Sequence, residues 1–406
     1  MAGPLAHVRV LDLSRIMAGP WASQVLADLG ADVIKVERPG AGDDTRSWGP
    51  PFLADRDGHP TGESGYFLSV NRGKRSITLD LATAEGQEIA RRLSRGVDIV
   101  LENYKVGTLA RYGLAYADLA AINPRLIYAS ISGFGQTGPL RDRAAYDFMI
   151  QAMGGLMSVT GEADGKPGGG PQKVGVPIVD LMTGMYAATA VLAALARRAE
   201  TGRGDYIDIA MLDVQTAFLA NQSMNYLVSG KPPRRTGNAH PNIQPQDVFA
   251  CRDGYVALAC GNDGQFAKLC AVLGRPELAT DERYATNRAR VRHLDTLTPI
   301  LVDAFAAGDM ADWAARLDAA GVPCGPINTI PGVLQEPQVV HRQMRRDVPH
   351  PLSGTVPQVV SPMRFAEAAL EFEHAPPLLG QHTNEVLKEI GMDEARIKGL
   401  AERGVI

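Results

Sequence analysis

Cysteine is scarce in this chain. Its four copies, Cys251, Cys260, Cys270 and Cys324, form no C-x-x-C pair and match no zinc spacing, so they read as buried thiols of a reducing, cytoplasmic compartment. Long hydrophobic runs are missing too: Gly, Asp or Arg interrupts each one, and no membrane span is expected. A strand pattern begins near Val8, which leaves no stretch for a signal or transit peptide. Neither sign of charge dominates, with 41 Lys and Arg against 45 Asp and Glu, which argues against nucleic acid or an anionic membrane as partner. The eight histidines are dispersed, and G-x-S-x-G and H-E-x-x-H are both absent. Serine-hydrolase and zinc-protease chemistry therefore lack their residues, and no metal is expected.

What the chain does contain is alternation. Its 406 residues are too many for one small core, and about two domains are expected. Residues 7–13 and 32–37 read as strands around a helix from 18 to 29, and further strand patterns lie at 75–81, 97–103 and 126–132 with helices between. This predicts an α/β fold with an open, doubly wound, mostly parallel sheet of Rossmann-like type. Ligands of such sheets bind beyond the carboxyl ends of the strands. The turns there, 15–20, 38–48 and 103–107, carry Arg, Lys, Trp and Tyr, which suits a large anionic ligand with an aromatic part. Ser14-Arg15-Ile16-Met17-Ala18-Gly19-Pro20 lacks the spaced glycines of a dinucleotide site, and Gly165-Lys166 has no Ser or Thr after it to make a phosphate loop.

One stretch, 174–185, organises the rest. An apolar run ends on a single carboxylate, Asp180, and a helix pattern follows from about Met182 to Arg198. A carboxylate at a helix start is expected to stay ionised. It can cap the helix or attack an activated carbonyl as a covalent nucleophile, and the residues alone leave both roles open. Residues 230–246 read as a linker or crossover, in which His240 is a loop histidine among polar neighbours. A hairpin around Asp253-Gly254 and helices at 263–273, 296–307 and 310–320 then predict a smaller α+β domain.

Several blocks, in order, resemble class III CoA-transferases, the formyl-CoA transferase-like family. They are Val10-Leu11-Asp12-Leu13, Ala18-Gly19-Pro20, residues 29–37, Asn71-Arg72-Gly73-Lys74-Arg75-Ser76, Glu102-Asn103-Tyr104, residues 131–135, Asp180-Leu181-Met182-Thr183-Gly184-Met185 and the tail 377–383. The resemblance implies an intertwined homodimer. Each subunit has a large CoA-binding domain from residues 1–200 and 340–406, a linker at 201–224 and a small domain at 225–335. Asp180 matches the nucleophile of the family. Arg38, Leu79, Asp80, Asn103, Tyr104 and Arg111 match its CoA contacts, as do Met17, Ala18, Tyr146 and Asp147. Coenzyme A enters as acyl-CoA substrate.

The resemblance also separates alternatives. Met17 stands where formyl-CoA transferase has Gln, and the glycine-rich small-domain loop of that enzyme has no counterpart. The α-methylacyl-CoA racemases of the same fold use a His in Gly-His-Asp, where this chain has Ala145-Tyr146-Asp147, and a Tyr titrates too high for that work. Residues 238–249 and 321–328 look most like succinate–hydroxymethylglutarate CoA-transferase, which implies succinyl-CoA as donor and a short dicarboxylate as acceptor. The alternatives are an α-methylacyl-CoA racemase or isomerase of the same fold and a non-catalytic acyl-CoA-binding protein. The second carboxylate of a dicarboxylate needs a cation or several donors in a closed pocket. Arg15 and Arg46, each in a turn after a strand, are candidates, with His240 and Gln246 reaching over from the small domain of the other subunit.

Overall fold

The structure, a computed structural model, describes residues 2–406. The chain divides into two compact units. One comprises the chain up to Gly155, Val174–Ala220 and Pro337–Ile406; the other comprises Leu156–Lys173 and Asn221–Glu336.

The first unit is built on six parallel strands: β1 (Arg9–Asp12), β2 (Asp32–Glu37), β3 (Lys74–Thr78), β4 (Ile99–Glu102), β5 (Ile127–Ser132) and β6 (Asp205–Ala210). Their order is β3-β2-β1-β4-β5-β6. The direction of winding reverses between β1 and β4, and this leaves a crevice at their carboxyl ends. The period-2 pattern seen in the sequence divides the core. Leu11, Leu13, Ile34, Val36 and Val100 join one buried cluster, which the C-terminal residues Val386, Leu387 and Leu400 complete. Val8, Val10, Val33, Ile99 and Leu101 join the other, under the helices α1 (Ala18–Asp28) and α5. Between them along the chain come α2 (Ala84–Ser94), α3 (Tyr116–Ile122) and α4 (Asp147–Met153), and α5 itself spans Ile178–Thr201.

Three expectations are corrected here. Residues 205–210 are the edge strand β6, and Met211–Phe218 is a helix of the same unit, so 201–224 is not a linker. An edge strand of the pattern Asp-Tyr-Ile-Asp-Ile-Ala keeps its acids on a half-exposed margin. The helix after the apolar run begins four residues earlier than expected, at Ile178, so Asp180 lies inside its first turn. By length and composition alone α5 is also long and apolar enough to cross a membrane. It packs instead as a core helix, with Val179, Thr183, Ala187, Val191 and Ala194 buried.

In the second unit Gln246–Ala250 and Tyr255–Ala259 pair antiparallel as the expected hairpin, and Cys324–Pro326 adds a third strand. Helices Asp263–Val272, Leu294–Ala306 and Met310–Ala319 supply Phe266, Leu269, Leu301, Phe305 and Leu317 to a core of its own. All four cysteines are free thiols; Cys260 and Cys270 are buried, while Cys251 and Cys324 are half-buried.

Candidate active site

Two elements meet where the sheet reverses. The turn after β1 leads into α1, and the first turn of α1 packs against the second turn of α5. The approach is close: a Cβ on Gly184 would lie 2.6 Å from the Ala18 carbonyl oxygen and 2.9 Å from Trp21. Only glycine permits it. Asp180 stands one turn before Gly184 and therefore next to the Met17–Ala18 corner.

The start of α5 has no cap of its own, because Pro177 occupies that position. Asp147 supplies it from α4, accepting the Val179 and Asp180 N–H groups at 2.8 and 3.2 Å through one carboxylate oxygen. Its other oxygen accepts from Gln151 at 2.5 Å. The resemblance offered Asp147 as a CoA contact; the structure uses its carboxylate to hold the helix that carries Asp180. Asp180 was expected to stay ionised on the strength of the helix dipole. Burial, and then the charge of Asp147, outweigh the dipole and push its carboxyl up to about 7. A carboxyl poised there is half ionised near neutrality, which suits a nucleophile that must also leave.

Tyr66 is a neighbour that sequence reasoning missed. It belongs to the short helix Gly65–Leu68, and burial followed by the charges of Asp180 and Asp147 pushes its phenol up to about 12. A phenol kept protonated is a hydrogen-bond donor at neutral pH. Trp48 packs edge-on against it at 5.1 Å between ring centroids. Trp48 closes the turn 38–48 already noted for its aromatic residue, whereas Tyr66 lies in sequence without periodicity and no pattern marked it.

On the far side of the β1 turn is a cleft of about 240 Å³, and it brings together Arg15, Arg38, Leu79, Asp80 and Tyr104. Arg15 lies over the Tyr104 ring, 5.6 Å from its centroid. Asp44 sits between the two arginines, 2.8 Å from Arg15 and 3.7 Å from Arg38. Arg15, proposed for the acceptor, thus shares the cleft of the CoA candidates. Arg111 ends the helix Thr108–Arg111 beside Tyr112, which lines the same cleft. Asn103 is turned to the backbone of Arg15, and Tyr146 is 61% exposed just before α4.

Arg46 is a correction. It is buried, with two bonds to Glu37 at 2.7 and 2.8 Å, two to Glu63 at 2.9 and 3.2 Å and one to the Pro377 carbonyl at 3.0 Å, which uses all five N–H groups. Its guanidinium also stacks 3.7 Å from the centroid of Phe67. No donor remains for a substrate carboxylate. In the second unit His240 accepts the Asn242 and Ile243 N–H groups at Nδ1, both at 3.1 Å, which leaves Nε2 to donate. It lines a cavity of about 220 Å³ with Lys231 and Arg234. The Gln246 carbonyl accepts the His240 N–H at 3.0 Å. Among the described residues one group, Asp55, Asp57 and His59, has metal-capable atoms within 4.8 Å of one another. Asp55 there accepts two backbone N–H groups of its own hairpin turn, a local fold signature.

Known proteins agree with this geometry. The model of CoA-transferase family III matches residues 5–383. A succinate–glutarate CoA-transferase of Agrobacterium fabrum is 49% identical over 95% of this chain and 96% of its own. The succinyl-CoA:glutarate CoA-transferase of Mus musculus is 44% identical over 99% of this chain and 90% of its own. Among solved structures, a CAIB/BAIF family protein from Brucella suis, 50% identical, covers 96% of this chain and 100% of its own with a TM-score of 0.85. A crevice at the reversal of a parallel sheet, a half-buried aspartate at a helix start and relatives matched along nearly their whole length agree: the chain belongs to CoA-transferase family III and is a class III CoA-transferase.

Proposed function

We propose that the enzyme moves CoA from succinyl-CoA to a short dicarboxylate, glutarate foremost, through covalent intermediates on Asp180. The observation that carries the mechanism is the half-buried Asp180 carboxyl, poised near 7 at the first turn of α5. The choice of substrates is supported by relatives named for succinate and glutarate.

Ionised Asp180 attacks the thioester carbonyl, giving a mixed aspartyl anhydride and CoA thiolate. The thiolate then attacks the Asp180 carbonyl, releases succinate and leaves an aspartyl-CoA thioester. The acceptor carboxylate displaces the thiolate to form a second anhydride. The thiolate attacks the acceptor's carbonyl, and Asp180 leaves as carboxylate. The protein must supply donors for each oxyanion and exclude water from both intermediates. Tyr66, held protonated beside Asp180, is a candidate donor. Brief incubation with succinyl-CoA followed by mass spectrometry tests the scheme. A CoA adduct on the Asp180 peptide is expected, and a fully active enzyme that never carries one would overturn it.

The CoA phosphates and adenine belong, in this reading, to the cleft of Arg38, Leu79, Asp80 and Tyr104, with Arg111 at its margin. Arg pairs with phosphate through two N–H groups and stacks on rings. Arg38→Ala or Arg111→Ala therefore raises the donor KM about 10- to 100-fold, the equivalent of about 1.5–3 kcal/mol for a charged hydrogen bond. Steady-state kinetics at fixed acceptor checks this, and unchanged donor KM in both variants would rule the cleft out.

Arg15, His240 and Gln246 remain as candidate readers of the acceptor's second carboxylate. The wild type is expected to prefer succinate over butyrate as acceptor, and Arg15→Leu or His240→Leu to narrow that preference about tenfold or more. If neither narrows it, another group reads the distal charge. We also propose that the enzyme acts as a cytoplasmic homodimer. The subunit presents a groove of about 730 Å³ lined by Trp21, Leu68, Met185, Met344, Val359 and Met363, an apolar surface that a second copy would cover.

A further inference from the structure

At the head of α1 the backbone adopts a conformation that its side chain resists. Ile16 sits at φ +73°, in the left-handed region where a β-branched residue is strained. Five consecutive main-chain groups around it are each taken by a side chain outside the turn. Ser14 N–H donates to Asp12 at 2.9 Å, and the Ser14 carbonyl accepts from Lys35 at 2.9 Å. The Asn103 amide holds both polar groups of Arg15, accepting its N–H at 2.9 Å and donating to its carbonyl at 2.7 Å. Ile16 N–H is shared between the two carboxylate oxygens of Asp43, 3.2 Å from each. Asp43 is in turn paired with Lys35 at 2.8 Å, with neither side chain exposed.

Strain of this kind persists only where the surroundings over-determine it. The turn carries Arg15 into the cleft with Arg38 and Tyr104, and it delivers Met17 and Ala18 to the crossing where Gly184 fixes α1 against α5. We propose that Asn103 is a positioning residue for acyl-CoA: from β4, across the crevice, it holds the turn against the preference of Ile16. This assignment rests on the CoA-transferase reading of the cleft. It differs from a direct contact of Asn103 with CoA in one respect. If Asn103 acts through the turn, easing the turn by other means must restore what its loss removes.

Glycine supplies the means, because it takes φ > 0 without a Cβ penalty. Asn103→Ala is expected to weaken CoA binding in calorimetry about tenfold or more, and to raise the donor KM alike while leaving the acceptor KM within about twofold. Ile16→Gly added to Asn103→Ala is expected to recover most of that loss. A simple loss of stability would disturb donor and acceptor together. A double variant no tighter than Asn103→Ala would overturn the proposal and leave Asn103 as a CoA ligand; undiminished binding in Asn103→Ala would overturn it too. Should Asn103→Ala fail to fold, Asn103→Asp keeps the size and the acceptor but removes the donor to the Arg15 carbonyl, and the same rescue by Ile16→Gly decides. A wild type that binds CoA yet transfers nothing would sink the transferase reading, while the CoA titrations still decide the turn.

Discussion

Asp180→Ala is expected to lower transfer from succinyl-CoA by about 1,000-fold or more, the scale on which removal of a covalent nucleophile acts. The circular-dichroism spectrum should stay that of the wild type. Among the described residues the Asp180 side chain makes no hydrogen bond to the fold, and the cap of α5 comes from Asp147. Asp180→Glu should fare little better, because one added methylene moves the carboxylate about 1 Å or more from a position set by a helix turn. Retention of wild-type turnover in either variant would remove Asp180 from the chemistry.

The acid limb of the pH profile is the second large effect. With the Asp180 carboxyl pushed up to about 7, the fraction ionised falls tenfold per pH unit below that point. The kcat/KM for succinyl-CoA should therefore rise with pH, level off above about 7, and at pH 5 lie about 100-fold below its plateau. The stability sign is the reverse. The folded-state value lies above the unfolded value of about 3.9, so the group's contribution is fully present below pH 4 and is lost as pH rises through 7. Asp180→Asn should thus be more stable than the wild type at pH 8, by an amount of order 2–4 kcal/mol, and no more stable at pH 4. Asp147→Asn keeps an oxygen for the Val179 and Asp180 amides but removes the charge. It should move the acid limb to lower pH by the smaller part of the shift, since burial is the larger cause. A profile flat from pH 5 to 8 in the wild type would contradict the assignment.

How these residues could be read beforehand depended on how local their causes are. Strands β1 and β2 were legible because alternating Val, Leu and Ile face two cores, and that pattern lies within six residues. The family likeness likewise survives in short blocks. Arg46 was misread because its partners are scattered: Glu37 and Glu63 flank it in sequence, but only folding brings both to one guanidinium, with Pro377 from the far end of the chain. The ionisation of Asp180 was misread for a similar reason. The helix dipole is a local quantity, whereas the burial that outweighs it is a product of folding, and the Asp147 charge that adds to it comes from 33 residues upstream. Tyr66 carries no periodic signal, and only its position near the Asp180 charge gives it meaning.

The contact at Gly184 has a kinematic consequence. Because a side chain there would strike the Ala18 carbonyl, the first turn of α1 and the second turn of α5 have no slack between them, and the backbone that carries Asp180, the proposed nucleophile, is a stationary post. That backbone is not free to shift toward a thioester or to follow a departing acyl group. Every displacement in the cycle, to an attack distance of about 3–3.5 Å, must then be made by the substrates. The pantetheine arm withdraws and returns, and donor and acceptor take turns in the same few cubic ångströms in front of one carboxylate. On the proposed mechanism, exchange at such a post is ordered by exclusion: the second acid reaches the carboxylate only after the first has left it.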